Sequence, residues 1–190
     1  MIDTDRVRRR LERAVADNPE YELHPPLSED EVLAFEHEQG VTLPADYRRF
    51  LLTVCSGFVN DGAILTPFPY VRKEMSGPLS TPFPYTAAYS ARIRARWAAS
   101  PEVLLSDLMQ DESLRREQVG GMPPGCLVLA DFGGEQSVIV VSGEERGRIW
   151  RIGDFDTPED LDLIQQNGDH ETLIDFERWV EGWLGYNGLG

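Results

Sequence analysis

Lysine is almost absent from this chain: Lys73 is the only one among 190 residues. Lys and Arg together number 18 against 33 Asp and Glu, a formal net charge of −15. Such a surface is ill suited to phosphate backbones, whose affinity depends on neutralisation by Lys and Arg. Nucleic acid is therefore not an expected partner. Long apolar runs are missing too. The longest, Cys126 to Ala130 and Val138 to Val141, fall far short of the roughly 20 residues a bilayer-spanning helix needs. Met1 to Asn18 is charged and carries no apolar run of signal-peptide length. A soluble cytoplasmic protein with no membrane association is the expectation. Cysteine is limited to Cys55 and Cys126, each in an apolar setting that suits a small core residue better than a disulfide or a reactive thiol.

The usual signatures of chemistry are also missing. His24, His37 and His170 share no metal-ligand spacing with one another or with the cysteines. Asp154-Phe155-Asp156 starts like a calcium loop, but Pro158 stands at the next ligand position and Glu159 where the turn glycine is required. No Gly-rich phosphate loop and no G-x-G-x-x-G occur. Ser142-Gly143 is not a nucleophile elbow, since Val140 occupies the position of the first glycine. The many carboxylates specify no acid–base pair without geometry. No catalytic residue, cofactor or metal ligand is expected, and the chain reads as a non-enzyme.

What is present is ample material for a core. Hydrophobic residues make up 41%, including four Trp, eight Phe and six Tyr. A chain of this length buries roughly 70% of its unfolded surface and needs no covalent staple. Val7, Leu11, Ala14 and Val15 are spaced for an amphipathic first helix within residues 1–20. Tyr21 to Leu27, with Pro25-Pro26, reads as a linker. Ser28 and Glu31 form a capping box for a helix through Val32, Leu33 and Phe35 that stops at Gly40. A third helix opens at Leu43-Pro44, buries Tyr47, Phe50, Leu51 and Val54, and is expected to end on a left-handed Gly57.

Asn60-Asp61-Gly62 then signals a turn, and Ala63 to Thr66 a short strand. Residues 86–99, the stretch from Ser100 and the stretch from Thr157 read as helices. Leu127 to Asp131, Gln136 to Val141 and Arg148 to Ile152 read as three antiparallel strands, because turns this short cannot join parallel ones. The last helix, from about Asp169, lines one face with Leu173, Phe176, Val180, Trp183 and Leu184. This is an α+β order: an antiparallel meander flanked by N-terminal and C-terminal helices, in one domain over residues 1–190.

Two features bear on binding. Asp154 to Glu181 contains ten acids and a single base, Arg178. This stretch, with Asp154, Asp156, Glu159, Asp160 and Asp162, either steers a basic partner or merely maintains solubility. Thr-Pro-Phe-Pro-Tyr occurs twice, at 66–70 and 81–85. Its prolines exclude helix interior and central strand. Phe68, Tyr70, Phe83 and Tyr85 then either pack a loop on the core or form an exposed aromatic contact surface.

Taken in order, Ser28–Gly40, Leu43–Leu51 with Ser56-Gly57, Leu129-Ala130-Asp131-Phe132-Gly133-Gly134-Glu135, and Thr172 to Trp179 resemble the successive parts of the SUKH superfamily. Ser56-Gly57-Phe58 departs from that family's frequent Asn-Gly-Gly, and against the family's pattern residues 66–120 stand as a helical and loop insertion. The superfamily comprises intracellular binding domains, among them fungal cell-wall regulators and bacterial toxin-immunity proteins. The resemblance implies a non-enzymatic protein-binding domain, with an immunity protein against a basic toxin domain, such as a nuclease, as the leading expectation. On that expectation the five acids steer association and the four aromatics slow release. A regulatory or scaffold module of the same family is the alternative, and a carboxylate-dependent hydrolase the third.

Overall fold

The computed structural model describes residues 3–60, 64–68, 78–86, 88, 95, 99, 123–131, 135–153 and 174–189. Among them four helices and six strands follow one another: α1 (Thr4–Asp17), β1 (Glu22–His24), α2 (Glu29–Gln39), α3 (Ala45–Thr53), β2 (Gly57–Val59), β3 (Ile64–Leu65), β4 (Cys126–Asp131), β5 (Glu135–Val140), β6 (Ile149–Gly153) and α4 (Phe176–Tyr186). The strands form one antiparallel sheet in the order β1-β2-β3-β4-β5-β6. Each strand thus pairs with its neighbours in sequence. The α+β meander flanked by helices is the architecture expected from the sequence; β3 falls within the short strand expected at Ala63 to Thr66, and two further short strands, β1 and β2, extend the sheet.

Local chemistry sets the helix ends. The Asp3 carboxylate accepts from the Arg6 N–H at 2.9 Å and starts α1. Ser28 and Glu31 make the reciprocal capping box, and α2 stops at Gly40. Asp175 caps α4 by accepting from the Arg178 N–H at 2.9 Å. The last helix therefore begins at Phe176 rather than near Asp169. The preceding Ile174 is occupied in another way, its carbonyl accepting from the Ile149 N–H at 2.9 Å.

Two further expectations are corrected. The linker over 21–27 contains β1, whose Leu23 pairs with Phe58; Pro25-Pro26 then ends the strand, since proline has no N–H to offer a ladder. Gly57 is not left-handed; it opens β2. Its requirement is space: a Cβ there would lie 2.5 Å from Pro67 Cα and 2.9 Å from Pro67 Cβ. The helices expected over 86–99, from Ser100 and from Thr157 fall, apart from isolated positions, outside the described residues.

Both faces of the central strands are covered. Leu127 pairs with Ile139, and Ile139 with Ile149, on one face. There they join a core of Val7 and Leu11 from α1, Val32 and Phe35 from α2, Tyr47, Phe50 and Leu51 from α3, and Phe176, Val180 and Leu184 from α4. Val128, Val138 and Trp150 pair across the opposite face, and they too are buried. At roughly 1.5–3 kcal/mol for each fully buried large apolar side chain, these two layers supply the main driving force for folding.

Candidate interaction surface

Phe68, Phe83 and Tyr85 are core residues, 5, 4 and 8% exposed. Of the two readings left open by the sequence, loop packing is the one realised, and their expected role as exposed contacts is corrected. Phe68 lies edge-on to Phe35 with ring centroids 4.8 Å apart. Its N–H donates to the Ser56 carbonyl at 2.8 Å. Phe83 and Tyr85 cover the second face of the sheet, with centroids 5.4 and 6.2 Å from Trp150.

The segment carrying Phe83 is clamped in place. The Phe83 N–H donates to the Ser142 carbonyl at 2.9 Å, and the Ser142 hydroxyl to the Ser80 carbonyl at 3.3 Å. Gly125, at φ +73°, lets this backbone approach; a Cβ there would sit 2.7 Å from the Phe83 nitrogen. Residues 78–86 of the expected insertion are thus a structural cover for the sheet. Tyr70, Asp154, Asp156, Glu159, Asp160 and Asp162 lie outside the described residues.

A polar network absent from the sequence reading joins the first helices. Glu36 is buried, 8% exposed. One carboxylate oxygen accepts from the Leu43 N–H at 2.7 Å, the other from Arg48 Nε at 3.4 Å. Arg48 also pairs with Glu29 at the start of α2. The arrangement fixes the α2–α3 turn, and a buried carboxylate needs such partners to be tolerated. Its sequence signal was position: Glu36 follows Val32 by four residues and Phe35 by one, on the apolar stripe. A second network ties the chain's ends together. Glu181 pairs with Arg6 and Arg10, and Arg10 Nε donates to the Leu189 carbonyl at 2.7 Å.

The titratable groups tell against reactive chemistry at the thiols. Burial pushes the Cys55 thiol up to about 12 and Cys126 higher still, so neither offers a thiolate nucleophile near neutral pH. Burial also raises the Tyr47 hydroxyl. Glu29 is lowered by its hydrogen bond with Arg48, and Glu31 by hydrogen bonds from the Ser28 backbone and hydroxyl. Among the described residues no three His, Cys, Asp or Glu side chains gather as metal ligands. A cleft of about 200 Å³ lies between the C-terminal ends of α1 and α4, lined by Arg10, Arg13, Asp17, Asn18, Tyr21 and Asn187 among others. Its lining mixes basic, acidic and amide side chains.

No described helix is long and apolar enough to cross a membrane. On α2 the residues Glu29, Asp30, Glu31, Leu33, Ala34, His37 and Glu38 face solvent. No curated protein matches the chain. A family model described as SMI1 / KNR4 family (SUKH-1) matches residues 26–180, a span that includes α2, α3 and strands β2 to β6. The chain belongs to the SMI1 / KNR4 (SUKH-1) family.

Proposed function

We propose that this protein is a non-enzymatic binding domain, an immunity protein that neutralises a basic toxin domain such as a nuclease by covering it. Family membership over residues 26–180 carries the reading, because domains of this family are protein-interaction modules. The net charge of −15 supports the partner's sign. A toxin that grips phosphates must present Lys and Arg, and opposite fields raise the rate of encounter. Asp154, Asp156, Glu159, Asp160 and Asp162 contribute to that steering.

Co-expression with the toxin encoded beside this chain tests the proposal. Cells producing both are expected to grow where cells producing the toxin alone die. Undiminished killing in the presence of the folded protein contradicts it, and the regulatory alternative then takes its place.

A further inference from the structure

The two Thr-Pro-Phe-Pro-Tyr segments meet the same receptor. In the first, the Phe68 N–H donates to the Ser56 carbonyl at 2.8 Å, and the adjoining Gly57 admits Pro67 only because it lacks a Cβ. In the second, the Phe83 N–H donates to the Ser142 carbonyl at 2.9 Å. A Cβ on the adjoining Gly143 would lie 3.0 Å from the Phe83 nitrogen and 3.5 Å from Pro82 Cβ. Each phenylalanine ring then stands edge-on to a buried aromatic, Phe68 to Phe35 and Phe83 to Trp150, with centroids 4.8 and 5.4 Å apart. A Ser-Gly dipeptide beside a buried ring is thus a socket for this peptide, and one chain fills it at two places. The two fillings differ in how they are held. Thr66 follows β3 directly and its N–H donates to the Leu129 carbonyl at 2.8 Å, so the first segment is continuous with the sheet. Residues 81–85 belong to no helix or strand.

We propose that the Ser142-Gly143 turn and Trp150 form a binding site for a proline-flanked phenylalanine peptide, closed by the chain's own residues 81–85 and opened when a partner's segment of that chemistry displaces them. The inference goes beyond the reading above and holds whatever the partner's charge. Three features define the ligand: a phenylalanine N–H for the Ser142 carbonyl, its ring for Trp150, and a preceding proline for the space beside Gly143. Prolines on both sides restrict the free peptide's backbone, so binding orders less of it. A second observation shows that the resident segment is an incomplete ligand. Trp150 is 2% exposed, and its Nε1 has no hydrogen-bond partner among the described residues. A buried donor without an acceptor is costly, and an incoming segment that brings a carbonyl to this indole removes that cost. The resident segment competes with the advantage of a tethered ligand, which keeps the site closed until such a segment is presented.

The test uses the full chain and a fluorescent synthetic peptide with the sequence of residues 80–85. Phe83→Ala removes the resident ring and is expected to bind the peptide saturably, about tenfold or more tightly than wild type does. The peptide is also expected to raise the variant's melting temperature, as a ligand of the folded state does. Where Phe83→Ala does not fold, Phe83→Leu, closer in volume, makes the same comparison. Two altered peptides leave the protein untouched and read the contacts singly. Alanine in place of the peptide's phenylalanine is expected to abolish binding, and N-methylation of that phenylalanine, which removes the N–H for Ser142, to weaken it about tenfold or more. Equal binding by variant and wild type, or binding by neither, overturns the proposal. Undiminished binding of the N-methylated peptide overturns it as well.

Discussion

Replacing Glu36 by alanine probes the network that holds α2 on α3. The substitution removes the acceptor that the buried Leu43 N–H bonds at 2.7 Å, the only one it has among the described residues. Leaving a buried donor without a partner costs about 1–3 kcal/mol. Arg48 is less affected, because it is part-exposed and keeps Glu29. For a chain of this size each kcal/mol corresponds to roughly 2–4 °C in melting temperature. Glu36→Ala is therefore expected to melt roughly 2–12 °C lower, and to lower the urea midpoint with an unchanged slope. Glu36→Gln retains a carbonyl oxygen for Leu43 and is expected to fall within about 1 kcal/mol of wild type. Leu33→Ala, on the exposed side of the same helix, is the control, expected within about 0.5 kcal/mol. Equal stability of Glu36→Ala and Leu33→Ala would refute the assignment of Glu36 as the acceptor that sets this turn.

Other perturbations have signs fixed by the geometry. Gly57→Ala places a Cβ against Pro67 and is expected to destabilise by about 1–3 kcal/mol in chemical denaturation, as overpacking does. Gly182 and Gly185 lie on the exposed side of α4, where an added Cβ meets nothing within 4 Å. Alanine at either position is expected to raise stability by about 0.5–1 kcal/mol, the helical advantage of Ala over Gly. The lowered pKa values of Glu29 and Glu31 mean that their hydrogen bonds contribute fully above the ordinary value of 4.5. That contribution is lost as pH falls through the lower folded values. Glu31→Gln is accordingly expected to flatten the fall in melting temperature measured below about pH 4.5.

Features encoded locally were legible in the sequence. Ser28 and Glu31 are three residues apart and announce the start of α2 without help from the rest of the chain. The apolar spacing of Val7, Leu11 and Ala14 likewise fixes the buried stripe of α1. What was not legible depends on distant partners. Gly57 is needed because Pro67 approaches it, a contact that no turn signal encodes. Phe83 and Tyr85 are buried because Trp150 lies beneath them; their flanking prolines specify a loop but not what the loop covers. β1 is three residues long, too short for an alternating pattern to stand out beside two prolines. Among the candidate contact residues, charge was readable, whereas exposure was not. The aromatic triplet lies in the core, and Leu33, read in the sequence beside Val32 and Phe35 as part of one helix, lies on the surface.

A stoichiometric titration tests the central claim most directly. Increasing amounts of this protein are added to a fixed amount of the active toxin domain, and residual toxin activity is read after equilibration. Action by covering a partner predicts a linear decline that reaches zero at a fixed whole-number ratio of the two chains, with the toxin recovered unmodified. Complete suppression at a small fraction of that ratio, or toxin activity untouched at any excess, would contradict it.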